Sequence, residues 1–257
     1  MAYVMLGRSE RLQDISIVKD KFDIAKIKCS EKAKQENDFL IERAEDRKMS
    51  NKFFEEGKVH LGFLNICSLK HWKDFITDSS FKKCQAIGLC ETWLPVDEEV
   101  NNPESLREYE TELVNVGRGQ GLAAFNNLQA KVILKFGSPM LSIIALQFGQ
   151  LIVIFMYVSQ GAPKDEVIAK LANLCHTKDC KIIVVGDMNW DYFGQDNSIK
   201  RFFKQNDFLQ LVNNPTHEQG GLLDHAYVKG YHPGAITVCQ KARYYSDHDA
   251  IFIKINE

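Results

Sequence analysis

The chain has 257 residues, 45% of them hydrophobic, a composition that can bury a sizeable core and that predicts a globular protein. Its 32 basic and 34 acidic residues give a net charge of −2, which excludes an overall positive field, so any site for a polyanion must be local. No apolar run approaches the roughly 20 residues of a membrane span and no secretory signal opens the chain, so we expect a soluble, intracellular protein without a membrane partner.

The predicted elements divide the chain near residue 58. Residues 20–58 are polar and rich in helix formers, which predicts a connecting helix or linker. From Val59 onward, short apolar and β-branched runs alternate with helix-like stretches, which predicts an α+β layered sandwich with sheets at the centre and helices outside. The seven cysteines include no C-x-x-C pair, so we expect reduced thiols and neither a disulfide framework nor a zinc site.

Several strand-like runs end in a polar residue that can bind a cation or a phosphate. In chain order these residues are Asn65, Glu91, Asp187, Asn189, Asp224, Ser246, Asp247 and His248. Each alone is more often a turn or capping residue, but strand ends from distant parts of a chain can converge at one edge of a sheet. Their oxygen donors suit Mg²⁺, and an Asp–His combination supplies a base for water and a donor to phosphate. Together they predict phosphoester hydrolysis.

These motifs carry a resemblance to a known superfamily. The ordered set LNICSL, ETWL, MYV, GDMN, LLDHAYV and YSDHDAI resembles the endonuclease/exonuclease/phosphatase superfamily over roughly residues 59–257. The resemblance implies a four-layer α/β/β/α sandwich and a Mg²⁺ cofactor, with Mn²⁺ as an alternative. The stretch NNPTHEQGGLLDHAYVKG is most similar to the mobile-element, apurinic-type endonucleases of that superfamily.

The resemblance also implies a role for each residue of the predicted metal site. Glu91 would be the principal Mg²⁺ ligand, Asn65 would help to hold the metal or its water, and Asp247 would be a further acid near the metal. Cys67 stands where many apurinic-type members carry an acid, which leaves open whether one or two metals bind.

The remaining residues would act on water and phosphate. Asp187 would orient and deprotonate the attacking water, and Asn189 would fix that base and the phosphate. His248, oriented by Asp224, would bind the scissile phosphate. Tyr157 would hydrogen-bond phosphate, or would be only a strand-end aromatic residue. Thr216 is expected near the site, whereas His217 and His225 are expected to be structural.

The first forty residues carry a second resemblance. The stretch YVMLGR is similar to the C-terminal YVxLSR motif of PIF1-type helicases, with Gly7 where serine is usual. No GxxxxGK[ST] phosphate loop occurs in the chain, so we expect no ATP binding by this chain alone. A helicase end followed by such a nuclease resembles Helentron-type Helitron transposons. We therefore predict a helicase remnant and linker over residues 1–58 and the nuclease-like domain over residues 59–257.

The favoured function is a metal-dependent DNA endonuclease derived from a transposable element, nuclear if it acts on chromosomal DNA. The alternatives are a phosphatase or RNA exonuclease on the same fold, or a non-catalytic interaction module. Because phosphate contacts normally supply much of the affinity for DNA, a local rim of basic residues is expected, although solvated surface charge is an equally simple interpretation. The residues of that predicted rim are Lys70, His71, Lys73, Arg118, Lys229, Lys241 and Arg243.

Overall fold

The computed structural model describes residues 53–94, 106–117, 121–175, 180–195, 197–232 and 234–256. The predicted helicase remnant, most of the predicted linker and Arg118 lie outside these residues. In the described part, none of the helices has the length and apolar character that crossing a bilayer requires. The six cysteines of the described residues are all free thiols, as the sequence predicts.

The described residues form twelve strands in two six-stranded sheets. The first sheet has the order β11-β12-β1-β2-β4-β3 and the second has the order β5-β6-β7-β8-β10-β9. The strands are β1 (Val59–Asn65), β2 (Ala86–Cys90), β3 (Glu110–Val114), β4 (Leu122–Asn126), β5 (Lys131–Ser138), β6 (Leu141–Phe148), β7 (Leu151–Val158), β8 (Lys181–Asp187), β9 (Leu209–Gln210), β10 (Asp224–Lys229), β11 (Ile236–Lys241) and β12 (Ala250–Ile255).

The α-helices of the described residues are α1 (Trp72–Thr77), α2 (Lys164–Cys175) and α3 (Ser198–Gln205). Pro163 precedes α2, whose first turn holds Asp165 and Glu166, acids that interact favourably with the positive end of the helix dipole. The side chain of Asn197 caps α3, because its Oδ1 accepts hydrogen bonds from the backbone N–H groups of Ile199 and Lys200, both at 3.0 Å. Two short 3-10 segments, Leu69–His71 and Phe81–Lys83, flank α1.

Alternation along the strands produces three apolar clusters. In β7, Phe155 faces the core between the two sheets, whereas Ile154 and Met156 face α2 and α3 on the other side of the second sheet. The outer face of the first sheet packs against α1 and the 3-10 segment around Phe81. Helices thus cover the outer faces of two packed sheets, which confirms the predicted four-layer α/β/β/α sandwich.

Two glycines allow close approaches within the sandwich. A Cβ on Gly88 of β2 would lie 2.3 Å from Cδ1 of Phe155, so the phenylalanine ring of the second sheet lies against the bare backbone of the first. A Cβ on Gly186 of β8 would lie 2.2 Å from the carbonyl oxygen of Met156 on β7. Both positions therefore require glycine for packing rather than for an unusual backbone angle.

The folded part of the chain extends to the amino-terminal side of β1. Phe53 is buried in the cluster on the outer face of the first sheet, and Glu55 pairs with Lys254 of β12 at 2.9 Å. Residues 53–58, which the sequence assigns to the linker, therefore pack on this sandwich. The domain boundary near residue 58 and the helicase origin of the preceding residues stay predictions.

Candidate active site

Three side-chain hydrogen bonds join the two sheets at one edge of the sandwich. Asn65 Nδ2, at the end of β1, donates to Asp187 Oδ2, at the end of β8, at 3.0 Å. His248 Nδ1, just before β12, lies 2.7 Å from Asp224 Oδ2, at the start of β10. The Tyr157 hydroxyl, near the end of β7, donates to Glu91 Oε1, just after β2, at 3.1 Å. Each bond pairs one residue of the first sheet with one residue of the second.

Strand register explains why these residues meet. On the second sheet, Asp187 is paired with Tyr157 in parallel register and with Asp224 in antiparallel register, so the three residues form one row. On the first sheet, Asn65 is paired with Cys90, and Glu91 follows directly. Because the two sheets pack face to face, the row on one sheet lies opposite the strand ends of the other. All nine predicted site residues, Tyr157 among them, lie on these strand ends or the adjoining loops.

Asp187 is fully buried and accepts several hydrogen bonds. Its Oδ1 accepts from the backbone N–H of Asn189 at 2.8 Å, and its Oδ2 accepts from Asn189 Nδ2 at 3.3 Å in addition to Asn65 Nδ2. Burial and the nearby charge of Asp224 raise the pKa of Asp187 to about 8, although His248 and the amide donors act in the opposite direction. Asn189 has a φ of +50° and also donates to the carbonyl oxygen of Val158 at 2.9 Å, which anchors it beside the carboxylate.

His248 is held in one orientation by Asp224. Because a carboxylate only accepts, Nδ1 of the ring carries the proton of their hydrogen bond, and Nε2 lies 3.4 Å from Asn65 Nδ2. Burial alone would lower the pKa of His248, but the carboxylates of Asp224, Asp187 and Asp247 raise it to about 9. The imidazolium form therefore persists near neutral pH. Among the described residues, Oδ1 of Asp224 is buried without a hydrogen-bond partner.

Asp247 and Cys67 occupy the exposed side of the site. Cys67 Sγ donates to Asp247 Oδ1 at 2.6 Å, and burial, followed by this hydrogen bond, raises the pKa of the Cys67 thiol to about 12. Cys67 therefore stays protonated and does not replace the missing carboxylate with a thiolate. Ser246 Oγ donates to the carbonyl oxygen of Asn65 at 2.6 Å and accepts from the backbone N–H of His248 at 3.0 Å, which ties this loop to the end of β1.

Glu91 sits in an unusual backbone turn. Its φ is +52°, in the left-handed region that few non-glycine residues adopt. The next residue, Thr92, is buried and its backbone N–H donates to the carbonyl oxygen of Gly121 at 3.3 Å, which holds the turn. Burial, with a further contribution from the Glu91 charge, raises the pKa of Tyr157 above its usual range, so its hydroxyl stays a donor.

The donor set is suited to a hard divalent cation. Glu91 and Asp247 offer carboxylate oxygens, and Asn65 offers an amide oxygen that accepts from the backbone N–H of Cys67 at 3.0 Å. Among the described residues, two sets of three ligand atoms lie within 4.8 Å of one another: Asp187, Asp224 and His248, and His217, Asp247 and His248. Four carboxylates thus share this edge with one imidazolium, an excess of negative charge that a cation would compensate.

Thr216 and His217 support the site from its border. Thr216 is buried, and its Oγ1 accepts from the backbone N–H groups of Leu223 at 3.0 Å and Asp224 at 2.9 Å, which fixes the start of β10. His217 forms an isolated β-bridge with His248, and its Nε2 lies 3.5 Å from Asp247 Oδ2. Its Nδ1 accepts from the backbone N–H of Gln219 at 3.1 Å, which places the ring proton on Nε2, toward Asp247. The sequence offers no signal for this contact, because it depends on a bridge between distant segments.

The predicted basic rim is largely absent from the described residues. Lys241 and Arg243 are buried, and Arg243 Nε pairs with Asp78 Oδ2 at 2.6 Å. Lys229 ends β10, at the opposite end of that strand from Asp224. Only Lys70, His71 and Lys73 lie on the segment that follows the site end of β1, with the two lysines exposed. The inclusion of Lys229, Lys241 and Arg243 in a rim at the site is therefore wrong.

No protein-family model and no curated protein matches this sequence. Several solved structures nevertheless have a similar fold. The endonuclease domain of TRAS1, a telomere-specific non-LTR retrotransposon, has a TM-score of 0.58 and 11% identity, with 78% of this chain and 100% of that chain covered. The 3′-5′ exonuclease NExo from Neisseria meningitidis has a TM-score of 0.60 and 16% identity, with 77% and 100% covered.

An AP endonuclease from Archaeoglobus fulgidus has a TM-score of 0.56 and 16% identity, with 77% of this chain and 100% of that chain covered. These identities are too low to carry residue roles across, but the agreement in architecture is extensive. The four-layer sandwich is therefore similar to the fold of these endonuclease/exonuclease/phosphatase-type proteins.

Proposed function

We propose that this chain is a Mg²⁺-dependent phosphodiesterase that nicks DNA, with Mn²⁺ as an alternative cofactor. The observation that carries the proposal is the pair of hydrogen bonds Asn65–Asp187 and His248–Asp224, which hold a buried carboxylate and a charged imidazole on opposite sheets at one edge. Similarity in fold to a retrotransposon endonuclease, an exonuclease and an AP endonuclease supports phosphodiester hydrolysis as the reaction class.

In this proposal, some residues of the chain act on the attacking water and others bind the scissile phosphate. Asp187, in its carboxylate form, accepts a proton from the attacking water, and burial raises the pKa of this group, which makes the ionised carboxylate a stronger base. Asn189 and Asn65 keep that carboxylate in place through their hydrogen bonds to it. His248 donates from Nε2 to an oxygen of the scissile phosphate, while Asp224 fixes the ring through Nδ1.

Glu91, Asn65 and Asp247 would hold the metal, since they carry oxygen donors and lie at the site end of the first sheet. Bound Mg²⁺ supplies charge neutralisation to the phosphoryl oxygens. Tyr157 positions Glu91 through its hydroxyl. The thiol of Cys67 adds no negative charge, so this donor set favours one metal rather than two.

A plasmid assay tests this function. The full chain is incubated with supercoiled plasmid, abasic duplex, RNA and a 3′-phosphorylated oligonucleotide, with Mg²⁺ or with EDTA. We expect Mg²⁺-dependent nicking, and we expect Glu91→Gln to lower its rate by on the order of a hundredfold or more, because one carboxylate ligand is lost. The matched control is Glu110→Gln, an exposed acid at the start of β3, where β3 pairs with the end of β4 farthest from the site.

Undiminished nicking in EDTA, or by Glu91→Gln, would contradict the proposed metal site. Hydrolysis of the 3′-phosphate or of RNA without plasmid nicking would instead favour the phosphatase or RNA exonuclease alternative. Failure on every substrate by a correctly folded protein would favour a non-catalytic module.

A further inference from the structure

Three exposed aromatic side chains lie on chain segments that adjoin residues of the candidate active site. Trp93, Phe193 and Tyr244 have exposed fractions of 56%, 54% and 56%. Trp93 follows Glu91 after one intervening residue, Phe193 lies on the loop after Asn189, and Tyr244 lies on the loop before His248. Three separate loops of the site therefore each present one large ring to solvent.

The other large exposed hydrophobic side chains of the described residues lie elsewhere. Phe148 is paired with Leu151 at the start of β7, the opposite end of that strand from Tyr157. Leu209 is paired with Val228, near the end of β10 that is distant from Asp224. Exposed aromatic rings are thus concentrated at the edge that carries the site, where exposed apolar surface most often marks a binding region.

The backbone at Trp93 is strained. Trp93 has a φ of +55°, a conformation that is a true outlier for so bulky a residue. The preceding residue, Thr92, is buried and packs closely against Gly121, where an added Cβ would lie only 2.0 Å from Thr92 Oγ1. Backbone strain of this kind persists only where the surrounding structure enforces it, and it is common at ligand-binding sites.

The other two loops are also anchored. The Tyr244 hydroxyl donates to Asp74, and the neighbouring Tyr245 donates to Asp78 Oδ2 at 3.2 Å. Asp191 Oδ1 accepts from the backbone N–H groups of Phe193 at 3.1 Å and Leu222 at 3.0 Å. A ligand that stacks on these rings therefore loses little free energy to ordering of the loops.

A nucleic-acid base is a suitable partner for such a ring only when the base is unpaired. In a duplex the flat faces of the bases are covered by their neighbours, whereas unpaired bases stack readily on aromatic side chains. The chain has a net charge of −2, and the described part of the chain has few exposed basic residues near the site, so phosphate contacts from these residues alone provide a weak source of affinity. Stacking would supply the missing affinity.

We propose that Trp93, Phe193 and Tyr244 stack on unpaired bases that flank the scissile phosphodiester, so that the preferred substrate is a single-stranded or locally unpaired strand. This inference rests on the proposed function and names its substrate class. DNA and RNA offer the same base faces, and the test below distinguishes them.

Binding is measured in Ca²⁺, without turnover, by fluorescence anisotropy of labelled strands of equal length. The strands are single-stranded DNA, single-stranded RNA, duplex DNA and a fully abasic strand that keeps the phosphate charge but lacks the bases. We expect single-stranded DNA to bind more tightly than both the duplex and the abasic strand. Each ring removal should weaken binding to single-stranded DNA roughly 5- to 150-fold, the range for loss of one stacked base.

The variants are Trp93→Asn, which removes the ring but accepts the left-handed backbone, Phe193→Ala and Tyr244→Ala. Phe148→Ala is the matched control and should bind like the unmodified chain. Quenching of tryptophan fluorescence by single-stranded DNA should decrease in Trp93→Phe, which leaves Trp72 and Trp190 as fluorophores, retains a ring at position 93 and should retain most of the affinity. Thermal unfolding of each variant verifies that the fold is kept.

Equal affinity for the abasic and the normal strand, or unchanged affinity in all three ring variants, would overturn the inference. If RNA binds more tightly than DNA, the three rings still stack on unpaired bases, but the preferred ligand is single-stranded RNA. Nicking that depends on Glu91 but not on these rings would remove only this inference. Base-dependent binding without hydrolysis of any substrate would instead remove the proposed enzymatic function.

Discussion

The pair of His248 and Asp224 is the single-residue feature on which the proposed chemistry depends most. Asp224 both fixes the ring through Nδ1 and raises the pKa of His248, so removal of the carboxylate should impair His248 even though its ring remains. His248→Ala and Asp224→Ala should each slow nicking by about a hundredfold or more, and the double variant should be little worse than the worse single variant.

The measurement is a double-mutant cycle on single-turnover nicking rates at saturating Mg²⁺, with folding of each variant verified by circular dichroism. Fully additive losses would show that Asp224 does not act through His248. Asp224→Asn is the conservative variant, because an amide oxygen can still accept from Nδ1 and should restore part of the rate.

A second residue, His225, should govern stability at acidic pH. Its ring is buried, with Nε2 near the carbonyl oxygens of Trp190 at 3.0 Å and Leu222 at 3.1 Å and with Nδ1 3.0 Å from the Tyr227 hydroxyl. Burial lowers the pKa of His225 from 6.5 to about 4. Between these two pH values the unfolded chain binds the proton more readily than the folded chain. The contribution of His225 to the free energy of unfolding is therefore complete above pH 6.5 and is lost as the pH falls toward 4.

We expect this one group to remove on the order of 3 kcal/mol of unfolding free energy across that window. The measurement is urea unfolding of the chain and of His225→Gln at several pH values from neutral to 4. The difference between the two free energies isolates the contribution of His225. A difference that does not change with pH would contradict the assignment.

Among the elements, α3 offers the sharpest test of how local sequence fixes local structure. The Asn197 side chain caps two backbone N–H groups of this eight-residue helix, whose Phe202 and Phe203 pack on the second sheet. Asn197→Ala should lower the free energy of unfolding by about 1 kcal/mol. Asn197→Asp keeps the cap and should retain the stability. Thermal unfolding compares the three proteins, and equal losses in both variants would show that the cap contributes nothing.

Sequence patterns predict the elements better than the contacts between them. The strands that end at or just before Asn65, Glu91 and Asp187 can be predicted, because each appears in the sequence as a short apolar run that stops at a polar residue. That each end meets a residue of the other sheet, as in Asn65–Asp187, depends on register and sheet packing, which have no local signal. Strand ends and the motif resemblance supplied the candidates and the expected Asp224–His248 pair, whereas the pairs Asn65–Asp187 and Glu91–Tyr157 are visible only in the structure.

The incorrect rim residues have the same origin. A basic residue in a sequence is expected to be solvated, but Arg243 is buried against Asp78, a partner from a distant segment. Likewise, Thr92 is buried against Gly121 and Trp93 has a left-handed backbone, and no pattern around the ETWL motif indicates either feature. At these positions, tertiary contacts determine burial and backbone conformation, and the local sequence does not predict them.

For the whole molecule, the amino-terminal region is the main open question of organisation. If residues 1–49 are a helicase remnant, their deletion should leave the thermal stability and the nicking rate of the remainder nearly unchanged. The deletion must end before Phe53, because Phe53 and Glu55 contact the sandwich. A large loss of melting temperature would show that the removed segment forms part of the folded core. A second deletion that also removes residues 50–56 is the control, and it should destabilise the protein.

The contact between Gly88 and Phe155 has a consequence for how the candidate active site tolerates change. Neither sheet alone contains a complete centre, because one supplies Asn65, Glu91 and His248 and the other supplies Tyr157, Asp187 and Asp224. The width of the gap between the sheets, which the ring of Phe155 against Gly88 helps to set, therefore controls whether the two halves are in register. A bulkier residue at position 88 would leave every strand intact but would move the two sheets apart, and with them the site residues that each sheet carries. Under the proposed function, such a protein would retain its secondary structure by spectroscopy yet lose its activity, so a core position that no substrate touches would still determine activity.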